Sequence, residues 1–154
     1  MKQRVMSLVL ALVMMCMPIS VKAEIEYEPI VTEEIVYQDA EYKIRVVTIV
    51  ENENVSCFAV TKTKSASRVW TVENLFGDVV VSYTLKGKFS YDGITATCTS
   101  ATYSTTIDSI LWSFESATAY ASGAKAIGSF TAKNLLKTVS ETLTLTCSKT
   151  GVIS

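Results

Sequence analysis

The sequence predicts an all-β protein, an antiparallel β-sandwich of seven or eight short strands. The first observation is the strict alternation of apolar and polar residues in several segments, which is typical of strands with one buried and one solvated face. The second is the composition, because Ser, Thr, Val and Ile recur throughout while the chain has only 2 prolines. The third is the short spacing of turn signals. A barrel is the alternative that these observations leave open.

The first 23 residues have the pattern of a secretory signal peptide. A short positive start precedes an uncharged apolar run over residues 5–19, and small residues follow where a signal peptidase cuts. We expect cleavage after Ala23 and secretion of the rest of the chain. We expect no membrane insertion after cleavage, because no later apolar run could span a bilayer. An uncleaved anchor and a lipoprotein attached through Cys16 are the alternatives.

After the signal peptide, an acidic segment leads into one domain. Every charged residue between 24 and 41 is acidic, and we expect this segment to be solvated and partly flexible. Docking on a cationic partner or binding of Ca²⁺ is the alternative, although no EF-hand-like spacing is present. Residues 42–154 form the predicted domain. The whole chain has a net charge of -1 and no basic stripe, so we do not expect a nucleic-acid partner.

The clearest strand covers residues 79–91, where odd positions are mostly apolar and even positions mostly polar. Asp92-Gly93 follows and predicts a hairpin with a partner strand over residues 94–103. In that partner, Ile94 and Cys98 share the apolar face, and Tyr103 lies on the opposite one. The other predicted strands cover residues 42–50, 55–63, 68–72, 110–115, 124–132 and 141–148. Residues 134–140 are predicted to form a single turn or a loop.

Three cysteines follow the predicted cleavage site. Cys98 and Cys147 each alternate in phase with apolar residues of their strands, so both are expected to point into the core. We therefore predict a Cys98–Cys147 disulfide, which an oxidising compartment permits. Cys57 is left as a buried thiol or as a site of intermolecular pairing. No metal is expected, because there is no CxxC motif and no histidine.

The chain contains no histidine, which removes the Ser–His–Asp and Cys–His types of catalysis. A carboxylate pair of the kind that glycosidases use is the remaining catalytic arrangement. Its possible members are Asp78, Asp92, Asp108 and Glu115. The first two occur in turn contexts that explain them without catalysis. We expect neither an enzyme nor a cofactor.

Cys98, Trp112 and Cys147 together resemble the Cys–Trp–Cys pattern of immunoglobulin domains. The resemblance implies a sandwich that is immunoglobulin-like in general architecture, with the tryptophan against a cysteine pair. It does not imply the immunoglobulin topology, because Leu145 stands where the tyrosine corner is expected. The segments YTLKGKFSYDGITATCTSATYS, WSFESATAYASGAKAIGSFTAK and LTLTCSKTGVIS resemble small exported proteins of Gram-positive, Clostridia-type bacteria. That resemblance implies a secreted single-domain β-protein and transfers no catalytic residues.

The predicted function is a secreted, non-catalytic binding or interaction module whose partner is an extracellular protein or glycan. The alternative is a carbohydrate-binding module, because exposed aromatic rings can stack on sugars. The possible ligand-facing aromatics are Trp70, Tyr103 and Tyr120. A hydrolase that uses carboxylates is the third hypothesis. Trp112 is expected in the core, since Ile110 and Phe114 lie on the same face of the strand predicted there.

Overall fold

The computed structural model describes residues 28–51 and 61–154, and all of the regular structure in these ranges is β-strand. The strands are β1 (Ile30–Gln38), β2 (Tyr42–Glu51), β3 (Lys62–Asn74), β4 (Val79–Tyr91), β5 (Ala96–Ile107), β6 (Ser113–Ser122), β7 (Lys125–Lys133) and β8 (Thr138–Thr146). Strands β1 to β5 form one antiparallel sheet and β6 to β8 form a second. Both sheets contribute to a single core, so the predicted β-sandwich is confirmed.

Each described strand pairs only with its neighbours in the chain, so each sheet is a meander. Immunoglobulin sandwiches have Greek-key connections, which these two sheets lack. Because successive strands are antiparallel, the connections alternate between the two ends of the sandwich. One end carries the β1–β2, β3–β4, β5–β6 and β7–β8 connections. The opposite end carries the β4–β5 and β6–β7 turns and the C-terminal segment.

Aromatic packing joins the two sheets. The ring of Phe130 on β7 lies 4.5 Å from that of Tyr83 on β4 and 4.8 Å from that of Trp70 on β3, measured between centroids. All three side chains are buried. The Tyr83 hydroxyl donates a hydrogen bond of 2.7 Å to the carbonyl of Thr118 on β6, so its polar end is satisfied in the core. Tyr83 thereby contacts both β6 and β7 from the opposite sheet.

A glycine on β7 makes this contact possible. A Cβ at Gly128 would overlap the Tyr83 hydroxyl oxygen and would lie 3.0 Å from Leu85 Cδ1, which is a tight contact. The neighbouring inward residue is Ala126, which is also small and fully buried. Small residues on β7 therefore let the large side chains of β4 reach across the interface.

Strand β1 extends the five-stranded sheet beyond the predicted start of the domain at residue 42. Residues 30–38 pair with β2 as a regular strand, where the sequence predicts a solvated, partly flexible segment. All nine side chains of β1 are exposed, and none of them belongs to the core. The acidic pair Glu33 and Glu34 obscured the strand in the sequence, although apolar, mainly β-branched residues flank it on both sides.

Strand β5 also differs from its prediction, because it continues past Tyr103 to Ile107. A β-bulge lies near its start. Lys88 pairs with Ser100 and Phe89 pairs with Cys98, so Thr99 has no residue opposite it on β4. The extra residue reverses the alternation of faces, so Cys98 and Tyr103 lie on the same face of the sheet.

Several predictions fall on residues that the structure does not describe. The signal peptide lies within residues 1–27, and Cys57 lies within residues 52–60. Most of the strand predicted over 55–63 belongs to the same range. The strand predicted over 68–72 is part of β3, which begins at Lys62.

The Gly128 contact predicts a coupled effect on stability. Gly128→Ala should lower the free energy of unfolding by about 1–3 kcal/mol, because the new methyl group meets the Tyr83 hydroxyl. In a Tyr83→Phe background the oxygen is absent, so the same substitution should cost less. Urea unfolding followed by tryptophan fluorescence measures both values. An equal cost in the two backgrounds would contradict the proposed contact.

The buried tyrosine also predicts how stability depends on pH. Burial raises the pKa of the Tyr83 hydroxyl from 10.0 to about 12. Because the folded chain holds this proton more tightly, its stabilising effect is complete below pH 10. It is lost as the pH rises toward about 12, by at most about 1.4 kcal/mol per pH unit. Urea unfolding across this interval should show a smaller decline for Tyr83→Phe, and parallel declines would refute the assignment.

Candidate functional site

Six large apolar side chains project into water at one end of the sandwich. Their exposed fractions are Leu75 71%, Phe76 88%, Ile110 102%, Leu111 53%, Leu135 90% and Leu136 91%. They form three adjacent pairs, in the β3–β4, β5–β6 and β7–β8 connections. We call these six residues the apolar end. Single exposed apolar residues are common on proteins, but a group of this size in three loops at one end is not explained by folding.

The three pairs share one local structure. In each, a polar residue precedes two apolar residues, and its side-chain oxygen accepts a hydrogen bond from the backbone N–H of the second. These bonds join Phe76 N to Asn74 Oδ1 (2.9 Å), Leu136 N to Asn134 Oδ1 (2.9 Å) and Leu111 N to Ser109 Oγ (3.2 Å). The turn is built by the polar side chain, which leaves the apolar side chains free to point outward.

Further hydrogen bonds stiffen the two asparagine turns. Asn74 Oδ1 also accepts from the N–H of Asp78 at 3.0 Å, and the N–H of Gly77 donates to the Asn74 carbonyl at 3.0 Å. Gly77 has a φ of 85°, which glycine adopts at low cost. In the other turn, Asn134 Oδ1 accepts from the N–H of Lys137 at 2.6 Å. The exposed pairs are therefore held on closed turns rather than on loose loops.

Trp112 closes the sandwich beneath the apolar end. It is buried, as predicted, and its ring meets that of Tyr42 edge-on with 5.9 Å between centroids. A cleft of about 290 Å³ lies beside it. The cleft is lined by Ile110, Leu111, Trp112, Ser113, Lys133, Asn134 and Leu135. Within the described parts of the chain, the indole N–H of Trp112 has no hydrogen-bond acceptor.

The strand predicted over residues 110–115 is only partly present. Residues 108–112 form a loop, and β6 begins at Ser113. The N–H of Asp108 donates to the carbonyl of Val80 at 2.9 Å and thereby attaches the start of this loop to β4. The apparent alternation of Ile110 with Trp112 comes from a turn that exposes the first residue and buries the second.

Charged residues surround the apolar end but do not interrupt its pairs. The four loops at this end are the β1–β2, β3–β4, β5–β6 and β7–β8 connections. The acidic residues in these loops or within three positions of them are Asp39, Glu41, Glu73, Asp78, Asp108 and Glu115. The basic residues are Lys43, Lys133 and Lys137. Lys133 forms an ion pair with Glu115. The Lys137 ammonium lies 3.8 Å from the ring centroid of Tyr37, which connects the β7–β8 loop to β1. This end is therefore mixed in charge, with an acidic excess.

The three aromatic residues predicted to face a ligand lie in three different places. Trp70 is 1% exposed and belongs to the core, so it is not available to a ligand. Tyr103 is half exposed and stacks on Tyr83, with 5.7 Å between ring centroids and 12° between planes. Tyr120 is half exposed and pairs with Ile127 on the outer face of the second sheet. The structure brings no two of the three predicted aromatics into one planar row.

The predicted Cys98–Cys147 disulfide is not formed in the structure. Both cysteines are buried, as predicted, but both are free thiols. Each sulfur lies against a backbone carbonyl, that of Ser100 at 3.3 Å for Cys98 and that of Ser148 at 3.4 Å for Cys147. Both lie at the end opposite Trp112. The tryptophan therefore does not pack against the cysteines as it does in an immunoglobulin domain.

The carboxylates considered for hydrolysis are divided between the two ends. Asp92 lies at the opposite end, where its Oδ1 accepts from the N–H groups of Thr95 at 2.7 Å and Ile94 at 2.8 Å. These bonds, that from Thr95 first, lower the pKa of Asp92. The other three carboxylates lie near the apolar end. In residues 28–51 and 61–154, no group of three or more Cys, Asp or Glu side chains is placed to hold a metal ion.

No family model, curated protein or solved structure matches this chain. The resemblance to exported Clostridia-type proteins therefore stays a prediction. Residues 28–51 and 61–154 contain no helical segment with the length and hydropathy of a transmembrane span. The apolar end is the feature of the described residues that packing of the core does not account for.

The cysteines give a direct chemical prediction. Burial raises the pKa of both Cys98 and Cys147, so in the folded chain both should react slowly with iodoacetamide. After denaturation without a reductant, both should be fully alkylated, as read by peptide mass mapping. A Cys98–Cys147 linked peptide in the unreduced digest would contradict the free thiols and support the predicted disulfide instead.

Proposed function

We propose that this chain is an exported, non-catalytic binding module that contacts its extracellular partner through the apolar end. The observation that carries the proposal is the exposure of three apolar pairs on turns closed by their own hydrogen bonds. Exposed apolar groups of this kind usually mark surfaces that bind another protein, a ligand or a membrane. A partner that covers them gains the free energy of removing their surface from water.

Two features of the chain support export and a binding role. The charged start and apolar run of residues 1–23 support secretion with cleavage after Ala23. The rigidity of the turns supports binding, because little conformational entropy is lost when a preformed surface is covered. The β-sheets then act as a scaffold that holds the three turns at one end.

Carbohydrate binding is the second candidate function, and Tyr103 is the residue that favours it. Its ring stacks on Tyr83 and the residue is half exposed, which suits contact with a sugar. The support is weaker than that for the apolar end, because Tyr120 lies on a different surface and Trp70 is buried. A hydrolase has weaker support again, because Asp92 is remote from the other three carboxylates.

The proposal is tested by a pair of matched triple variants. The apolar-end variant is Phe76→Ser, Ile110→Ser and Leu136→Ser. The opposite-end variant is Ile30→Ser, Ile94→Ser and Val152→Ser, whose native side chains are also exposed. Each purified chain is incubated separately with intact cells, isolated membranes, wall polysaccharide and secreted protein from a culture of cells that make this protein. The fraction of the chain that binds to each preparation is then measured.

The unaltered chain and the opposite-end variant should bind the same fraction equally. The apolar-end variant should lose about nine-tenths of that binding, because three of its six apolar contacts are removed. Equal binding by both variants would refute a role for the apolar end. Retention of polysaccharide binding by the apolar-end variant, with loss in Tyr103→Ala, would favour the carbohydrate alternative.

A further inference from the structure

The proposed function leaves the partner unnamed, and the inference here rests on that function. We infer that the apolar end docks on the surface of a lipid bilayer whose headgroups carry no net charge. The contact is made by side chains on loops and involves no spanning segment. The six apolar side chains enter the boundary between headgroups and acyl chains, while both sheets stay in water.

The shape of the apolar end favours a bilayer over a folded protein. The apolar residues are presented as three separate pairs, and Ile110 and both leucines of the β7–β8 turn are at least 90% exposed. Side chains this far out make few contacts with their own protein. A protein partner would need three matching pockets, whereas acyl chains are fluid and accommodate separate projecting groups without a preformed shape.

Several backbone donors of the turns are already hydrogen-bonded within the protein. Polar backbone groups are costly in the apolar part of a bilayer unless they are hydrogen-bonded internally. The N–H groups of Phe76, Leu111 and Leu136 already donate to side chains of their own turns. Those of Gly77 and Trp112 donate to carbonyls within the same turns. Inserting the pairs therefore leaves these donors satisfied.

The charges near the apolar end select the type of lipid. Acidic residues outnumber basic ones within three positions of the four loops. An acidic excess gives no attraction to anionic headgroups, so apolar insertion has to supply the affinity. Lys133 and Lys137 flank the β7–β8 pair, but their ammonium groups are already engaged with Glu115 and with the Tyr37 ring. Binding should accordingly require no anionic lipid and should be weakly sensitive to salt.

Trp112 is not part of the proposed lipid contact. It is buried beneath the apolar end and belongs to the same core cluster as Trp70. The contact is therefore made by the six exposed side chains alone.

Co-sedimentation with vesicles tests the inference. The probes are vesicles of phosphatidylcholine alone and of phosphatidylcholine mixed with phosphatidylglycerol, each at low and high salt. The unaltered chain and the opposite-end variant should bind phosphatidylcholine vesicles with similar partition coefficients at both salt concentrations, and phosphatidylglycerol should not strengthen this binding. The apolar-end variant should bind about tenfold less or weaker still, because half of the inserting side chains are lost.

Two control measurements distinguish a loss of lipid binding from a loss of folding. Circular dichroism and thermal unfolding should be unchanged in both variants, because the altered side chains are exposed. Absence of vesicle binding by the unaltered chain, equal binding by the two variants, or binding that requires phosphatidylglycerol would each overturn the inference. If vesicles do not bind but the apolar-end variant still loses binding to secreted protein, the proposed function stands and the partner is a protein.

Discussion

The close approach of β7 to β4 at Gly128 is the constraint on which the rest of the structure depends. Because this residue has no Cβ, Tyr83 can lie flat on Phe130 and extend its hydroxyl to the carbonyl of Thr118. One side chain of the first sheet thereby fixes two strands of the second. The turns at the apolar end project from the ends of the strands that this packing holds together.

Where the sequence has a clean period of two, it predicts the fold well. Strand β4 begins and ends where its alternation does, and the Asp92-Gly93 turn follows it. The prediction of β5 is less complete, because a single unpaired residue, Thr99, reverses the faces and no composition signal marks a bulge. The sequence does not indicate strand β1, because the strand is exposed on both faces and burial imposes no apolar alternation on it.

The apolar end was not predicted, and the reason is physical. Large apolar residues are expected to be buried, so the sequence predicts a strand that contains both Ile110 and Trp112. A signal does exist in the sequence: Asn74, Ser109 and Asn134 are each followed by two large apolar residues. Only the structure shows that these polar side chains close turns and that all three turns lie at one end. The predicted Cys98–Cys147 disulfide is absent from the structure for a related reason. Alternation gives the face on which a cysteine lies, but it does not give the distance between two cysteines.

Site-specific fluorescence tests the central claim most directly. An environment-sensitive dye is attached to a single engineered cysteine, Phe76→Cys or Ile94→Cys, in a chain with Cys57→Ser; Cys98 and Cys147 are buried and should react slowly. On addition of phosphatidylcholine vesicles, the dye at 76 should shift its emission to shorter wavelength, because its surroundings become apolar, and the dye at 94 should not. A shift at 94 alone, or no shift at either position, would contradict docking through the apolar end.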